Sequence, residues 1–203
     1  MKVAFFFTLL TATRMLSLIH TDGNSSIEEY LHSQIRTIPD WPHQGIQFRD
    51  ITTLFANPQA WKKTADALAQ RYSEMVFDRI GALDARGFLI GSTLSYILDK
   101  PLVLFRKKGK LPGQTLCVAY DLEYGQAELE MHVDSVLPGD KVLLVDDLIA
   151  TGGTLLAADQ LIRNAGGSTL EAAAIINLPD LKGADRLNAA GIATYTLCSF
   201  AGE

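Results

Sequence analysis

Apolar positions along the chain follow two periods, and the change from one to the other outlines the architecture. Ile27, Tyr30, Leu31 and Ile35 recur at helical spacing behind Ser26-Ile27-Glu28-Glu29. Glu29 lies three residues after Ser26, the arrangement of a capping box. Trp61, Ala65, Leu68 and Tyr72 form a second helical face, with Asn57-Pro58 as its cap and first-turn proline. Between these helices Pro39 and Pro42 predict an irregular stretch. From about residue 76 short apolar runs alternate with helical ones. Residues 76–83, 101–105, 141–145, 170–178 and 192–200 read as strands. Residues 87–98, 152–165 and 181–190 read as helices, the second closed by Gly166-Gly167. Residues 114–120 and 127–133 alternate apolar with polar, as an antiparallel pair does. Strands interleaved with helices predict an α/β fold with a mostly parallel sheet covered on both faces.

Residues 3–10, apolar apart from Thr8 and preceded by Lys2, resemble the core of a targeting segment. Arg14 interrupts the stretch, which falls well short of the ~20 residues that span a bilayer. Residues 1–25 are therefore treated as an N-terminal extension, with Met15 as an alternative start, and 26–203 as a single domain. No membrane partner is expected.

Composition narrows the classes. A chain of 203 residues suits one α/β domain, and 48% apolar with 20% charged residues excludes disorder. Eighteen basic against 23 acidic residues give a net charge of −5, which argues against a general nucleic-acid binder. Cys117 and Cys198 match no zinc spacing and no disulfide framework, so a reducing cytoplasmic compartment is expected. The charge is uneven, however. Arg106, Lys107, Lys108 and Lys110 place four cations within five residues of an otherwise acidic chain.

The segment Val142-Leu143-Leu144-Val145-Asp146-Asp147-Leu148-Ile149-Ala150-Thr151-Gly152-Gly153-Thr154 carries the chemistry. It reads as a buried strand, two acids at its carboxyl end, and a small-residue loop opening a helix. Open α/β sheets bind ligands at that end of their strands. Backbone N–H groups of Ala150, Thr151, Gly152, Gly153 and Thr154, two threonine hydroxyls and a helix N-terminus suit a phosphate monoester. No lysine adjoins the last threonine, so this is no nucleotide P-loop. Asp146 and Asp147 would repel a phosphate in contact. As pure acceptors they suit a neighbouring sugar diol, and phosphate with diol makes a ribose 5-phosphate.

This segment resembles the phosphoribosyl pyrophosphate (PRPP) motif of type I phosphoribosyltransferases. Four further segments resemble the adenine phosphoribosyltransferases: Phe48-Arg49-Asp50-Ile51-Thr52, Asp84-Ala85-Arg86-Gly87-Phe88, Arg106 through Gly113, and Tyr120 through Gly125. They occur in family order and span about residues 27–200. The resemblance implies a central, mostly parallel sheet flanked by helices, a flexible antiparallel loop and a small N-terminal hood at about 36–55. It implies transfer of ribose 5-phosphate from PRPP to adenine, giving AMP and pyrophosphate, by a homodimer. It places Arg86, Arg106, Lys107 and Lys110 on pyrophosphate, with Lys108 the least favoured cation of the run. Glu123 becomes the acid/base group near adenine N7, beside Tyr124, with Arg86 also catalytic. Phe48 and Leu178 would sandwich the purine, while backbone groups of Gln47 and Arg49 read its edge. Outside the resemblance, Phe48 and Leu178 would read as ordinary core. Mg2+ is expected through PRPP and water, since no carboxylate cluster resembles a metal cage. A cis peptide is implied at Asp84-Ala85.

Two alternatives stay open on the residues. A phosphoribosyltransferase for xanthine or a 6-oxopurine would share 146–154 but should lack the Phe48-Arg49-Asp50 hood. A PRPP-sensing regulator would add a basic DNA-binding helix pair, for which residues 1–26 are short and weakly charged.

Overall fold

Val142, Leu143, Leu144 and Val145 are all fully buried, and parity divides them between two cores. Leu143 and Val145 belong to one core and Val142 and Leu144 to the other. Successive side chains of a strand point to opposite faces, so an unbroken apolar run needs cover on both sides. In the computed structural model, which describes residues 26–121 and 126–202, this strand lies inside a mixed sheet. The extension 1–25 lies outside the described residues.

The described elements run in chain order as α1 (Ile27–Gln34), β1 (Arg36–Pro39), β2 (Gln47–Asp50), α2 (Thr52–Ala56), α3 (Pro58–Tyr72), β3 (Arg79–Leu83), α4 (Arg86–Leu98), β4 (Leu102–Lys107), β5 (Thr115–Asp121), β6 (Gln126–His132), β7 (Lys141–Ile149), α5 (Gly153–Asn164), β8 (Ser168–Asn177), a 3-10 turn (Pro179–Leu181), α6 (Gly183–Ala189) and β9 (Thr194–Ser199). Seven described strands form one sheet in the order β5-β6-β4-β3-β7-β8-β9. β4, β3, β7, β8 and β9 are mutually parallel, and β6 pairs antiparallel with both β4 and β5. One face carries residues of α1 to α4, the other residues of α5 and α6. Each Leu, Ile or Val fully withdrawn from water in these layers contributes about 1.5–3 kcal/mol. The mostly parallel, two-face-covered sheet is the fold expected from the sequence.

The helix starts follow the chain's own chemistry. Ser26 Oγ accepts the Glu29 N–H at 3.2 Å and Glu29 Oε2 accepts the Ser26 N–H at 3.0 Å, so the capping box is complete. Asn57 Oδ1 accepts the N–H groups of Gln59 and Ala60 at the start of α3.

Two local expectations are corrected. The stretch around Pro39 and Pro42 is a two-stranded antiparallel hairpin, with Ile38 opposite Phe48 and Pro39 opposite Gln47. Pro39 is tolerated because it ends a strand of an isolated pair. The helix expected at 181–190 divides into the 3-10 turn and α6, with Lys182 left-handed (φ 56°) between them. The cause is contact. A Cβ on Gly183 would lie 2.0 Å from the Ala150 carbonyl oxygen, and one on Gly152 (φ 77°) would lie 2.9 Å from the Gly183 carbonyl oxygen. Two glycines therefore let α6 press directly on the loop after β7.

Candidate active site

β7 continues past its buried run to Ile149 and delivers Asp146 and Asp147 to the carboxyl end of the sheet. β3 lies beside it and ends at Leu83, followed by a cis peptide at Asp84–Ala85 and then α4. β4 ends at Lys107, on the other side of β3. Adjacent parallel strands thus release three chain segments at one edge, where a cavity of about 550 Å³ opens. Asp84, Arg86, Arg106, Lys107, Lys110, Asp146, Asp147 and residues 150–155 line it. The structure therefore gathers the acid pair, the small-residue loop, Arg86 and the expected loop cations, from segments 20 to 60 residues apart. That volume suits a small-molecule ligand.

The start of α5 differs from those of α1 and α3. Its N-cap is Gly152, and no side chain caps it. α4, which also begins at the cavity, starts at Ala85 without a side-chain cap. Neither start offers a side-chain acceptor to its first-turn N–H groups, although the Phe88 N–H of α4 donates to the Ala85 carbonyl at 3.3 Å, and the positive ends of both helices face the cavity. Arg186 of α6 donates from Nη1 to the Thr151 carbonyl at 2.7 Å and pins the loop from outside.

The acids are not equivalent. Asp147 is 4% exposed and accepts Arg86 Nε at 2.5 Å. Asp146 Oδ1 accepts the Asp147 N–H at 2.9 Å. Burial, and then the charge of Asp147, push the Asp146 carboxyl well above the usual carboxylate range. Desolvation of a half-buried carboxyl, with a buried like charge beside it at the strand end, accounts for that direction.

The cations divide likewise. Arg106 donates from Nε to Asp84 Oδ2 at 3.0 Å and from Nη1 to the Lys110 carbonyl at 3.1 Å. Lys108 Nζ lies 2.8 Å from both oxygens of Glu128 and is absent from the cavity lining. Lys107 and Lys110 line the cavity and enter no ion pair among the described residues. Beneath them Glu130, 4% exposed, accepts the N–H groups of Lys110 and Leu111. The Leu111 N–H, followed by those of Gly109 and Lys110 against the opposing effect of burial, holds its carboxyl below the usual range.

The residues expected at adenine lie outside the cavity lining. Phe48 in β2 packs edge-on against Trp41 at 4.5 Å, and the Arg86 guanidinium lies 5.9 Å from its ring. Gln47 and Arg49 flank Phe48 on the hairpin. The Arg49 side chain turns away, donating to Thr37 Oγ1 and the Ala201 carbonyl and lying over Phe200. Leu178 follows β8, and its N–H donates to the Ile149 carbonyl at the end of β7. Glu123 and Tyr124 lie outside the described residues.

Sequence reasoning missed Glu130, Arg186 and Gly183. Glu130 alternates with apolar neighbours as any outward strand residue would, and the other two lie on a short helix without a motif. Asp84 stood in a quoted segment without a role; its place opposite Arg106 is set by β3 pairing with β4.

Comparison with known proteins follows the same outline. The family model for the phosphoribosyl transferase domain matches residues 50–194. A protein of Pseudomonas paraeruginosa named adenine phosphoribosyltransferase is 60% identical over 171 residues, covering 84% of this chain and 94% of that protein. One of the same name from Marinobacter nauticus is 54% identical, covering 86% of this chain and 97% of that protein. The crystal structure of adenine phosphoribosyltransferase from Rhodothermus marinus aligns with a TM-score of 0.79 at 42% identity, over 85% of this chain and 97% of that one. That of Trypanosoma brucei, in complex with AMP, pyrophosphate and ribose-5-phosphate, aligns with a TM-score of 0.79 at 27% identity, over 88% and 81%.

Proposed function

The chain belongs to the phosphoribosyl transferase family and, within it, to the adenine phosphoribosyltransferases, and from that premise we propose how its residues move the 5-phosphoribosyl group of PRPP onto adenine, giving AMP and pyrophosphate. One observation carries the reading: a helix start without a side-chain cap, an acid pair and two lysines that enter no ion pair among the described residues share one cavity of about 550 Å³. Residues 150–154 take the 5′-phosphate on backbone N–H groups. Asp146 and Asp147 accept the two ribose hydroxyls. Lys107, Lys110, Arg106 and Arg86 take the pyrophosphate.

The C1′–O bond to pyrophosphate breaks with its electron pair leaving on the pyrophosphate. Adenine N9 then bonds to C1′, and the proton on N7 is lost to Glu123, beside Tyr124. Cations stabilise the leaving charge, and the fixed diol and phosphate hold C1′ in line with the incoming nitrogen. Phe48 and Leu178 face the purine, with Gln47 and Arg49 offering backbone groups to its edge. Arg86 lies between the Phe48 ring and Asp147, so it touches both halves of the reaction.

Among the described residues no three His, Cys, Asp or Glu gather as a metal cage. The oxygen donors present, Asp146 and Asp147, suit a hard cation carried by the PRPP hydroxyls and water. Mg2+ bound in that way supplies charge neutralisation to the pyrophosphate. A homodimer is supported by the exposed Leu89, Tyr96 and Ile97, one face of α4; a monomer in light scattering would remove that part. Both cysteines are free, as a reducing, cytoplasmic setting would keep them; no described helix is long and apolar enough to cross a membrane.

The test is an assay with PRPP, Mg2+ and each purine base. Adenine is expected to give AMP with the highest kcat/KM; faster turnover of hypoxanthine or xanthine would overturn the base assignment. Nucleic-acid binding at moderate salt without AMP formation would favour the regulator.

A further inference from the structure

We propose that Glu130 is a positioning residue for the pyrophosphate end of the cavity, its carboxylate holding the turn that carries Lys107 and Lys110. This rests on the reading that the cavity takes PRPP. Glu130 lies on β6 directly opposite Arg106 on β4. Its Oε1 accepts the N–H of Lys110 at 3.0 Å and of Leu111 at 2.9 Å, and its Oε2 lies 3.4 Å from Thr115 Oγ1. Arg106 Nη1 meanwhile donates to the Lys110 carbonyl. The peptide groups flanking Lys110 are thus gripped on both sides, by an acid below and a guanidinium beside it.

The grip has a directional effect. Successive backbone N–H groups in a turn make a concave anion site. Here an internal carboxylate occupies that concavity, so the turn cannot offer its amides to a phosphate. With the amides committed inward, Lys107 and Lys110 line the cavity as cations that enter no ion pair among the described residues. A buried carboxylate close to an anionic ligand would ordinarily repel it. The amides of Lys110 and Leu111 answer its charge, and Lys107 and Lys110 line the cavity while Glu130 does not.

The contact pattern separates reach from charge. In Glu130→Gln the carbonyl oxygen can keep both N–H bonds and the amide nitrogen can donate to Thr115, so geometry survives without charge. In Glu130→Asp the charge survives but the side chain is one carbon short. Glu130→Ala loses both. Calorimetric binding of Mg-pyrophosphate and of AMP, with melting temperature and wild-type AMP formation, tests the proposal. Asp and Ala variants are expected to weaken pyrophosphate about tenfold, the scale of losing a hydrogen bond to a charged acceptor at the half-buried Leu111 N–H, with AMP within about twofold. The Gln variant is expected within about threefold of wild type for both ligands. Unchanged pyrophosphate binding in Ala and Asp, equal loss of both ligands, or loss in Gln but not in Asp would each overturn the proposal. A wild-type protein that forms no AMP yet shows the pyrophosphate split would sink the reading of the reaction and leave the positioning role standing.

Discussion

Asp146 carries a cost while its carboxyl is ionised. Its carboxyl, half-buried at the cavity wall beside Asp147, is pushed well above the ordinary carboxylate range by desolvation and then by the charge of Asp147. A raised carboxyl pKa means the folded protein binds this proton more readily than the unfolded chain. The ionised form therefore destabilises the fold at neutral pH, and the penalty fades as pH falls through the raised pKa. Asp146→Asn can keep the bond to the Asp147 N–H while removing the charge. It is expected to raise the melting temperature of the unliganded protein by a few degrees at pH 7, a shift of order 1 kcal/mol. PRPP binding should weaken about tenfold, since one diol acceptor is lost. An unchanged melting temperature would show the pair is not strained, and wild-type PRPP affinity would remove the diol role. The acid pair was legible because its motif is contiguous in sequence. The attachment of Asp147 to Arg86 was not, because it joins residues 61 positions apart and depends on β3 lying against β7.

The same divide holds for the elements. Both capped helices, the buried strand at 142–145 and the antiparallel pair β5–β6 could be read from periodicity and caps, which are local. The β1–β2 hairpin was missed because two prolines outweighed four-residue strands with no clear alternation. The break at Lys182 was missed because a contact thirty residues upstream imposes it. That contact makes α6 a backing plate for the loop after β7, which we propose takes the 5′-phosphate. Gly183→Ala would place a methyl 2.0 Å from the Ala150 carbonyl, so the loop or the helix must shift. Affinity for AMP and the KM for PRPP should both worsen about tenfold or more, because both ligands carry the 5′-phosphate, while free pyrophosphate binds as before. Such a split is the mirror image of the one expected at Glu130. Retained AMP affinity would show that α6 follows the loop passively.

Across the whole molecule, a net charge of −5 coexists with a substrate that carries both a phosphate monoester and a pyrophosphate. The basic segment does not meet the cavity as a bare cationic patch. Arg86 holds Asp147, Arg106 holds Asp84 and Lys108 holds Glu128. Lys107 and Lys110 alone among these cations line the cavity without an ion pair among the described residues. Added sodium chloride should therefore raise the KM for PRPP only as steeply as two screened lysines dictate. A dependence as steep as five free cations would show that the ion pairs are open in solution. The paired arginines make the cavity an ion exchanger loaded with its own counterions. A visitor gains entry by how many carboxylates it can replace at once, so chloride passes by and a polydentate anion of the right reach is retained.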